Sequence, residues 1–359
     1  MKKLYLLLLL LITVTAAKAY VTVDIRVCTY NLLNYSLANE DGRTAKFKSI
    51  MDTIHPDILV CQEVVEAPAV AKFLSEALNK KFKASPFHAG YDTQNQLFYN
   101  SELIELLSAD YYKTSLRDIA EYRVLSKITH DTISIFSVHF KASDTDSDAV
   151  QRGQQARILY ERMAERDVQN GKIILVGDFN FYSPDEEGYK VITYSRTLPT
   201  LVDPVASDWK RNDIRYPAFY TQSTRNVADA ACGGGTGGGM VDRFDYIFLS
   251  QRIIARLIQD SYTHFGNDGT SRINNSINNP YNTYYSSLMA SNLRCASDHL
   301  PVYCDFHLVG PSSVDEPTEG SLTLPARYFD ILGREVETPE KGVLYLKVQG
   351  SKVEKVMMF

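Results

Sequence analysis

No apolar run beyond the first residues approaches the ~20 residues that a bilayer-crossing helix requires, so the mature chain is expected to have no transmembrane segment. An excess of positive charge is missing as well. With 38 Lys and Arg against 43 Asp and Glu, a net charge of -5, the chain does not grip polyanions through its overall field. A phosphate-bearing ligand would need a metal ion or a few placed arginines. Cysteine is scarce and irregularly spaced. The five cysteines show no metal-ligand spacing, which argues against a structural zinc site, and their odd number leaves at least one thiol unpaired within the molecule. Cys28, Cys61 and Cys304 sit in apolar, strand-like runs that suit small buried hydrophobes. Cys232 and Cys295 lie in polar, loop-like sequence and are the best candidates for a disulfide. A phosphate-cradling loop is lacking too: "CGGGTGGG" has the glycines but neither the lysine nor the following helix of a P-loop, and is expected to be a flexible loop.

What is present begins with Lys2 and Lys3, the apolar stretch Leu4 to Val14, and "AAKAY", in which Ala17 and Ala19 fit the small-residue pattern before a signal-peptidase cut. Residues 1–19 therefore read as a secretory signal; a membrane anchor is the alternative, disfavoured by the shortness of the run. Residues 20–309 are ample for one large globular domain. Residues 310–321, "GPSSVDEPTEGS", have the composition of a linker, and 322–359 form a short C-terminal part.

Strands and helices interleave in the large domain. "VTVDIRVCTYNL" alternates like a strand, "RTAKFKSIMDTIH" carries helical spacing and "PDILVCQEV" is a short apolar run opened by proline. A helix is predicted over Ala69 to Leu78. "YRVLSKITHDTISIFSVHF" reads as a hairpin turning near His130 and Asp131, and "GKIILVGDFN" as a buried strand. Ala149, Ala156, Leu159 and Met163 share one face of a helix from about Ser147 to Val168.

The polar residues are the more informative. Asn31 follows "VCTY", Gln62 and Glu63 follow "ILVC", His139 follows "IFSV", Asp178 and Asn180 follow "ILVG", and Asp298 and His299 precede "LPVY". A lone Asp or Asn after a strand is usually a turn residue. Five strand ends bearing chemistry, two with histidine, suggest groups held rigidly around one pocket.

These segments carry a family resemblance. "TYN", "CQEV", "SVHF", "VGDFN", "RFDYIFLS" and "SDHLPV" resemble, in order, the motifs of the endonuclease/exonuclease/phosphatase superfamily, which includes deoxyribonuclease I and apurinic endonucleases. The likeness covers nearly all of residues 20–309. It implies an α/β fold, a four-layered sandwich of two mixed β-sheets packed face to face with helices outside. Hydrolysing a phosphate ester needs an activated water and charge stabilisation at the phosphoryl oxygens. Glu63 is the leading metal ligand, since a hard cation takes carboxylate oxygen, and the resemblance adds Asn31 and Asp298 as companions. The cofactor expected is Mg2+, with Mn2+ or Ca2+ as alternatives.

The resemblance further implies that His299 is the general base or orients the attacking water, with its imidazole held by an acid. Asp245 is preferred for that role over Asp242 because the family's R-x-D-Y pattern places the acid before the tyrosine. Asp178 and Asn180 fit contacts to the water and to a phosphate oxygen. His139 resembles the second histidine that deoxyribonuclease-like members use near the leaving group, which places the chain on the deoxyribonuclease, sphingomyelinase and phosphatase side. The acid behind His139 is open between Asp92 and a substitute at Thr93. Arg117 is either a phosphate clamp or a surface arginine, and Tyr91 either a phosphate contact or a packed aromatic.

"HFGNDGTSRINNSINNPYNTYYSS" is expected to be a long surface loop over the rim of the site. At the C-terminus, "YFDILGREV" and "GVLYLKV" resemble the sorting module of type IX secretion substrates, a small β module that is shortened at its front here. Together with the leader it implies a secreted or cell-surface protein and a partner in the secretion machinery. The expectation is a monomeric phosphodiesterase, a nuclease on extracellular DNA or RNA. A phosphomonoesterase or phospholipase-C/sphingomyelinase-like hydrolase is the alternative; a catalytically silent binding protein is disfavoured by the full set of acid, amide and histidine positions.

Overall fold

A computed structural model describes residues 20–169, 171–194, 200–205, 208–311, 327–330, 333–349 and 352–357. The segment read as a leader and residues 312–326 lie outside the described residues. Residues Tyr20–Pro311 form one compact unit; the C-terminal strands belong to another.

Alternation along the central strands builds the large unit. In "DIRVCTY", Ile25 and Val27 join one buried cluster while Cys28 and Tyr30 join another. "ILVC" divides in the same way, Ile58 and Val60 against Leu59 and Cys61. A period-two pattern that is apolar on both faces belongs to a sheet covered on both sides.

Two mixed six-stranded sheets result. The first runs β12 (Thr263–His264), β14 (Val302–Pro311), β1 (Tyr20–Tyr35), β2 (Ile58–Val64), β4 (Gln94–Asn100) and β3 (Phe82–Ala84), with β1 and β2 parallel. The second runs β5 (Ile104–Tyr112), β6 (Ile119–Ser126), β7 (Thr132–His139), β8 (Ile173–Asp178), β11 (Asp245–Ser250) and β9 (Leu201–Val202), with β7 and β8 parallel. Between them lies a core that includes Val27, Val60, Ile135, Val176, Ile247 and Phe306. Against the outer face of the first sheet pack α1 (Arg43–Ile54), α2 (Ala67–Lys72) and α6 (Ser287–Ala296), through Phe47, Val70 and Leu293 among others. Against the outer face of the second pack α3 (Asp146–Gln169) and α4 (Glu187–Thr193), through Leu159, Met163 and Ile192; a one-turn α5 (Gln251–Ile254) follows β11. The layers are thus helix, sheet, sheet, helix, as expected.

Local expectations largely hold, with instructive differences. The hairpin turns between Ser126 and Thr132, and the long helix keeps Ala156, Leu159 and Met163 inward. The helix expected over Ala69 to Leu78 begins at Ala67 and changes to π-helical winding over Phe73–Ala77, which seats Phe73 and Ala77 in the core. The glycine-rich stretch is pinned rather than loose. Cys232 is disulfide-bonded to Cys295, and Gly239–Met240 (β10) pairs with Arg272–Ile273 (β13) of the Asn-rich loop. Cys28, Cys61 and Cys304 are free and buried. The C-terminal unit is a four-stranded antiparallel sheet ordered β16 (Glu335–Val336), β15 (Arg327–Phe329), β17 (Leu344–Gln349) and β18 (Lys352–Met357). No helix among the described residues is long and apolar enough to cross a membrane.

Candidate active site

Sheet register sets out the site. In the second sheet His139 pairs with Asp178 across the parallel β7–β8 ladder, and Asp178 pairs with Asp245 across the antiparallel β8–β11 ladder. Three chemical side chains therefore stand in one row. Gly177 makes this row possible: at φ +137° a Cβ there would fall 2.1 Å from the carbonyl oxygen of Val138, so no other residue lets β8 lie so close to β7. In the first sheet Asn31 pairs with Gln62, after which the ladder shifts register. At that irregularity Glu63 takes φ 59°, a conformation costly for a glutamate and typical of functional turns. The bulge turns its carboxylate toward the row on the opposite sheet.

Asn31 joins the two sheets. Its Nδ2 donates to Glu63 Oε1 and to Asp178 Oδ2, each at 2.9 Å, while its Oδ1 accepts from the Leu33 amide. The second Glu63 oxygen accepts from the Asn34 amide at 2.8 Å. His139 Nε2 lies 3.7 Å from Glu63 Oε1 and 3.5 Å from Asp178 Oδ2. Ligand atoms of Glu63, His139 and Asp178 all fall within 4.8 Å of one another, so these residues could hold a metal ion.

His299 occupies the other side of Asp178. Its Nδ1 donates to Asp245 Oδ2 at 2.8 Å, and its Nε2 lies 3.7 Å from Asp178 Oδ2. Asp242, the competing acid, instead pairs with Arg211 at 2.6 Å. Asp298 Oδ2 accepts from the Thr236 amide at 2.7 Å, and its other oxygen is buried without a hydrogen-bond partner. Asn180 donates to the Phe140 carbonyl at 3.2 Å, and its amide bonds Asp178 Oδ1.

Electrostatics follow from this crowding. Burial pushes the Asp178 carboxyl up to about 7, with Asp245 and Glu63 adding repulsion against the opposing pull of His299. Burial and the nearby Asp298 raise Glu63. Burial lowers His139 well below the ordinary histidine value, helped by Arg117 and His299. For His299 burial also disfavours the charge, but Asp245 and Asp178 outweigh it and hold the imidazole well above its usual value. Among the described residues no lysine or arginine forms an ion pair with Glu63, Asp178 or Asp298. Oxygen ligands with a half-satisfied buried carboxylate, and no lysine or arginine paired with them, fit a hard divalent cation.

The outer candidates are arranged differently. Arg117 makes a bidentate pair with Asp92, Nε to Oδ1 at 2.8 Å and a terminal nitrogen to Oδ2 at 2.7 Å. Asp92 is thereby committed to Arg117 and does not support His139, whose Nδ1 has no hydrogen-bond partner. The Thr93 hydroxyl likewise turns to Asp92 rather than to the histidine. Tyr91 is 74 % exposed, so it is not a packed aromatic.

Three contributors carried no sequence signal. Thr236, inside the glycine-rich stretch, gives Asp298 its amide, and Gly235 leaves room for the approach: a Cβ there would lie 2.8 Å from Asp298 Oδ2. Arg43 is fully buried and donates to the carbonyls of Leu32, Leu33, Asn39 and Ala296. It ties the turn beneath Glu63 to the segment that leads into Asp298. Gln222 places its carboxamide against His299 and Asp298.

A sequence model of the Endonuclease/Exonuclease/phosphatase family matches residues 28–299. No curated protein matches the sequence. Among solved structures, D. rerio TDP2 complexed with single strand DNA product superposes with TM-score 0.53 at 16% identity, covering 79% of this chain and 98% of that one. The human Nocturnin catalytic domain with bound sulfate gives 0.51 at 18%, covering 81% and 97%. An endonuclease/exonuclease/phosphatase family protein from Bacteroides thetaiotaomicron gives 0.51 at 18%, covering 81% and 97%. At such identities the structural likeness is one of fold.

Proposed function

The chain belongs to the endonuclease/exonuclease/phosphatase family, and from that premise we propose that it is a secreted, divalent-metal-dependent phosphodiesterase, a nuclease that cleaves extracellular DNA or RNA with water. The observation that carries this reading is the meeting of an acidic cluster, Glu63 with Asp178, and an acid-backed histidine, His299 with Asp245, whose Nε2 lies 3.7 Å from Asp178 Oδ2. Glu63 is the principal ligand in this proposal, with Asp298 and Asn31 completing the set, the Asn31 carboxamide turning over to present Oδ1 in place of the Nδ2 that now faces Glu63 and Asp178, and Asp178 and His139 at its edge. A bound cation, Mg2+ with Mn2+ or Ca2+ as alternatives, supplies Lewis-acid stabilisation of charge on the phosphoryl oxygens.

The chain's own residues do the rest. Asp245, Asp178 and Asp298 favour the charged imidazole of His299; a cation bound among the carboxylates would offset that pull, so that the neutral ring could receive the proton of the attacking water at Nε2 while Asp245 fixes its tautomer through Nδ1. Asp178 and Asn180 orient that water and one phosphate oxygen, and His139 lies toward the leaving oxygen. Arg117 exchanges Asp92 for a substrate phosphate, a like-for-like swap of one bidentate anion for another. Tyr91 is free to contact the adjoining nucleotide.

A nucleic-acid substrate is favoured by the family and by the DNA product bound to the D. rerio relative. Residues 1–19 act as the export signal, and residues 322–359 act as a type IX sorting module recognised by the secretion machinery. The substrate reading is tested by offering the purified protein plasmid DNA, RNA, sphingomyelin and inositol phosphates with magnesium and with chelator. Preference for a nucleic acid is expected; turnover of sphingomyelin alone would move the enzyme to the lipid hydrolases.

A further inference from the structure

Gln222 is buried and its backbone forms isolated β-bridges with both Asp242 and His299. Its backbone amide donates to the Asp242 carbonyl and its carbonyl accepts from the Val241 and Asp242 amides. On one side, the neighbouring Thr221 hydroxyl accepts from the Phe244 and Asp245 amides. On the other, the Thr221 carbonyl accepts from the Leu300 amide, and the Thr224 amide donates to the Asp298 carbonyl. A side chain rooted in such a segment has little freedom. The Gln222 carboxamide nitrogen lies 2.7 Å from His299 Nε2 and 3.4 Å from Asp298 Oδ2.

We propose that Gln222 is a positioning residue for the reaction, holding the Nε2 edge of the His299 ring in the resting site as Asp245 holds its Nδ1 edge, and giving that edge up to the water whose proton Nε2 receives. The inference rests on the hydrolase reading given above for its kinetic consequence, though not for its geometry. An imidazole gripped only at Nδ1 can swing about that bond, and a misplacement of about an ångström costs heavily in a proton transfer. Asp245 alone leaves that swing open; Gln222 closes it. A carboxamide suits the place because, by turning over, it can face a ring nitrogen with either a donor or an acceptor. A carboxylate of the same reach would alter the charge, and a serine or threonine hydroxyl would fall short. The second hydrogen of the amide, directed at Asp298, sets the angle between the two consecutive residues that the site uses.

Two measurements on the full chain test this. In the unaltered protein, nuclear Overhauser effects should link the Gln222 side-chain amide protons to the His299 ring proton Hε1, with the amide protected from exchange; their absence would overturn the proposal. In Gln222→Met, which keeps length and bulk, kcat should fall about ten-fold or more, while KM and the calorimetric magnesium affinity stay within about two-fold. The His299 ring nitrogen resonances should shift in the same variant. Unchanged kcat would refute the positioning role. A loss confined to magnesium affinity would refute it too, assigning Gln222 to Asp298 instead. If the wild-type protein hydrolyses no phosphodiester, the functional reading fails on that result, and the resonance data still decide whether Gln222 orients His299.

Discussion

Replacing Asp245 by asparagine changes one charge and almost no volume. Asp245 is fully buried, its Oδ2 lies 2.8 Å from His299 Nδ1, and its backbone amide is fastened to the Thr221 hydroxyl at 3.2 Å. The fold should therefore survive. The substitution removes a hydrogen bond to a charged group, about 1.5–3 kcal/mol, which alone is roughly ten- to hundred-fold in rate. A further loss comes from the tautomer. An asparagine that turns its amide toward Nδ1 leaves the ring proton on Nε2, the nitrogen that must receive one. The combined fall in kcat should be about 10²- to 10⁴-fold, the range of a lost acid–base group. Steady-state hydrolysis of a chromogenic phosphodiester at saturating magnesium measures it, with KM changing little. Asp242→Asn is the control, because Asp242 faces Arg211 rather than the histidine. If Asp242→Asn proves the damaging change and Asp245→Asn is neutral, the pairing is misassigned.

Other outcomes follow from the same geometry. The Cys232–Cys295 bridge spans 63 residues, so the double serine variant should lose about 4 kcal/mol of unfolding free energy by the chain-entropy relation, measured by urea denaturation; an unchanged unfolding curve would show that the bridge does not constrain the chain. His264 is buried, and burial reinforced by Arg243 lowers its imidazole to about 3. Its folded value lies below the unfolded one, so its contribution is complete above about pH 6.5 and is lost as pH falls from there toward 3. Between pH 7 and 5 the wild-type protein should lose roughly 2 kcal/mol more stability than His264→Gln; parallel pH dependences would show that His264 is not held neutral.

The layered fold was legible because both faces of β1 and β2 are apolar, a pattern that a sheet covered on both sides produces and a sheet with one solvated face does not. The site was legible as strand ends, since Asn31, Glu63, His139, Asp178 and His299 each close or open an apolar run. Their mutual arrangement was not, because it depends on register between strands far apart in sequence. Nothing local to "SVHF" says that His139 will stand beside Asp178, or that Asp92 will be taken by Arg117. Gln222 and Thr236 were invisible for a related reason. Both lie in irregular segments without periodicity, and they reach Asp298 only through hydrogen bonds spanning more than sixty residues. Composition alone did not show how the glycine-rich stretch is tethered, because the disulfide and the short β10–β13 ribbon are made with partners distant in sequence. The register shift that turns Glu63 toward His139 and Asp178 belongs to β1 and β2 together, and no single strand announces it.

Whether Glu63 and its neighbours hold a catalytic cation is decided by calorimetric titration of the metal-free protein with magnesium, run beside hydrolysis of a chromogenic phosphodiester with and without chelator. Magnesium should bind, and hydrolysis should stop with chelator and return with added magnesium. Glu63→Gln, which removes the charge at the centre of the cluster and keeps its shape, should weaken magnesium affinity and turnover together while the protein stays folded. Chelator-resistant hydrolysis, or a Glu63→Gln protein that binds magnesium as tightly as the wild type, would show that Glu63 holds no catalytic cation.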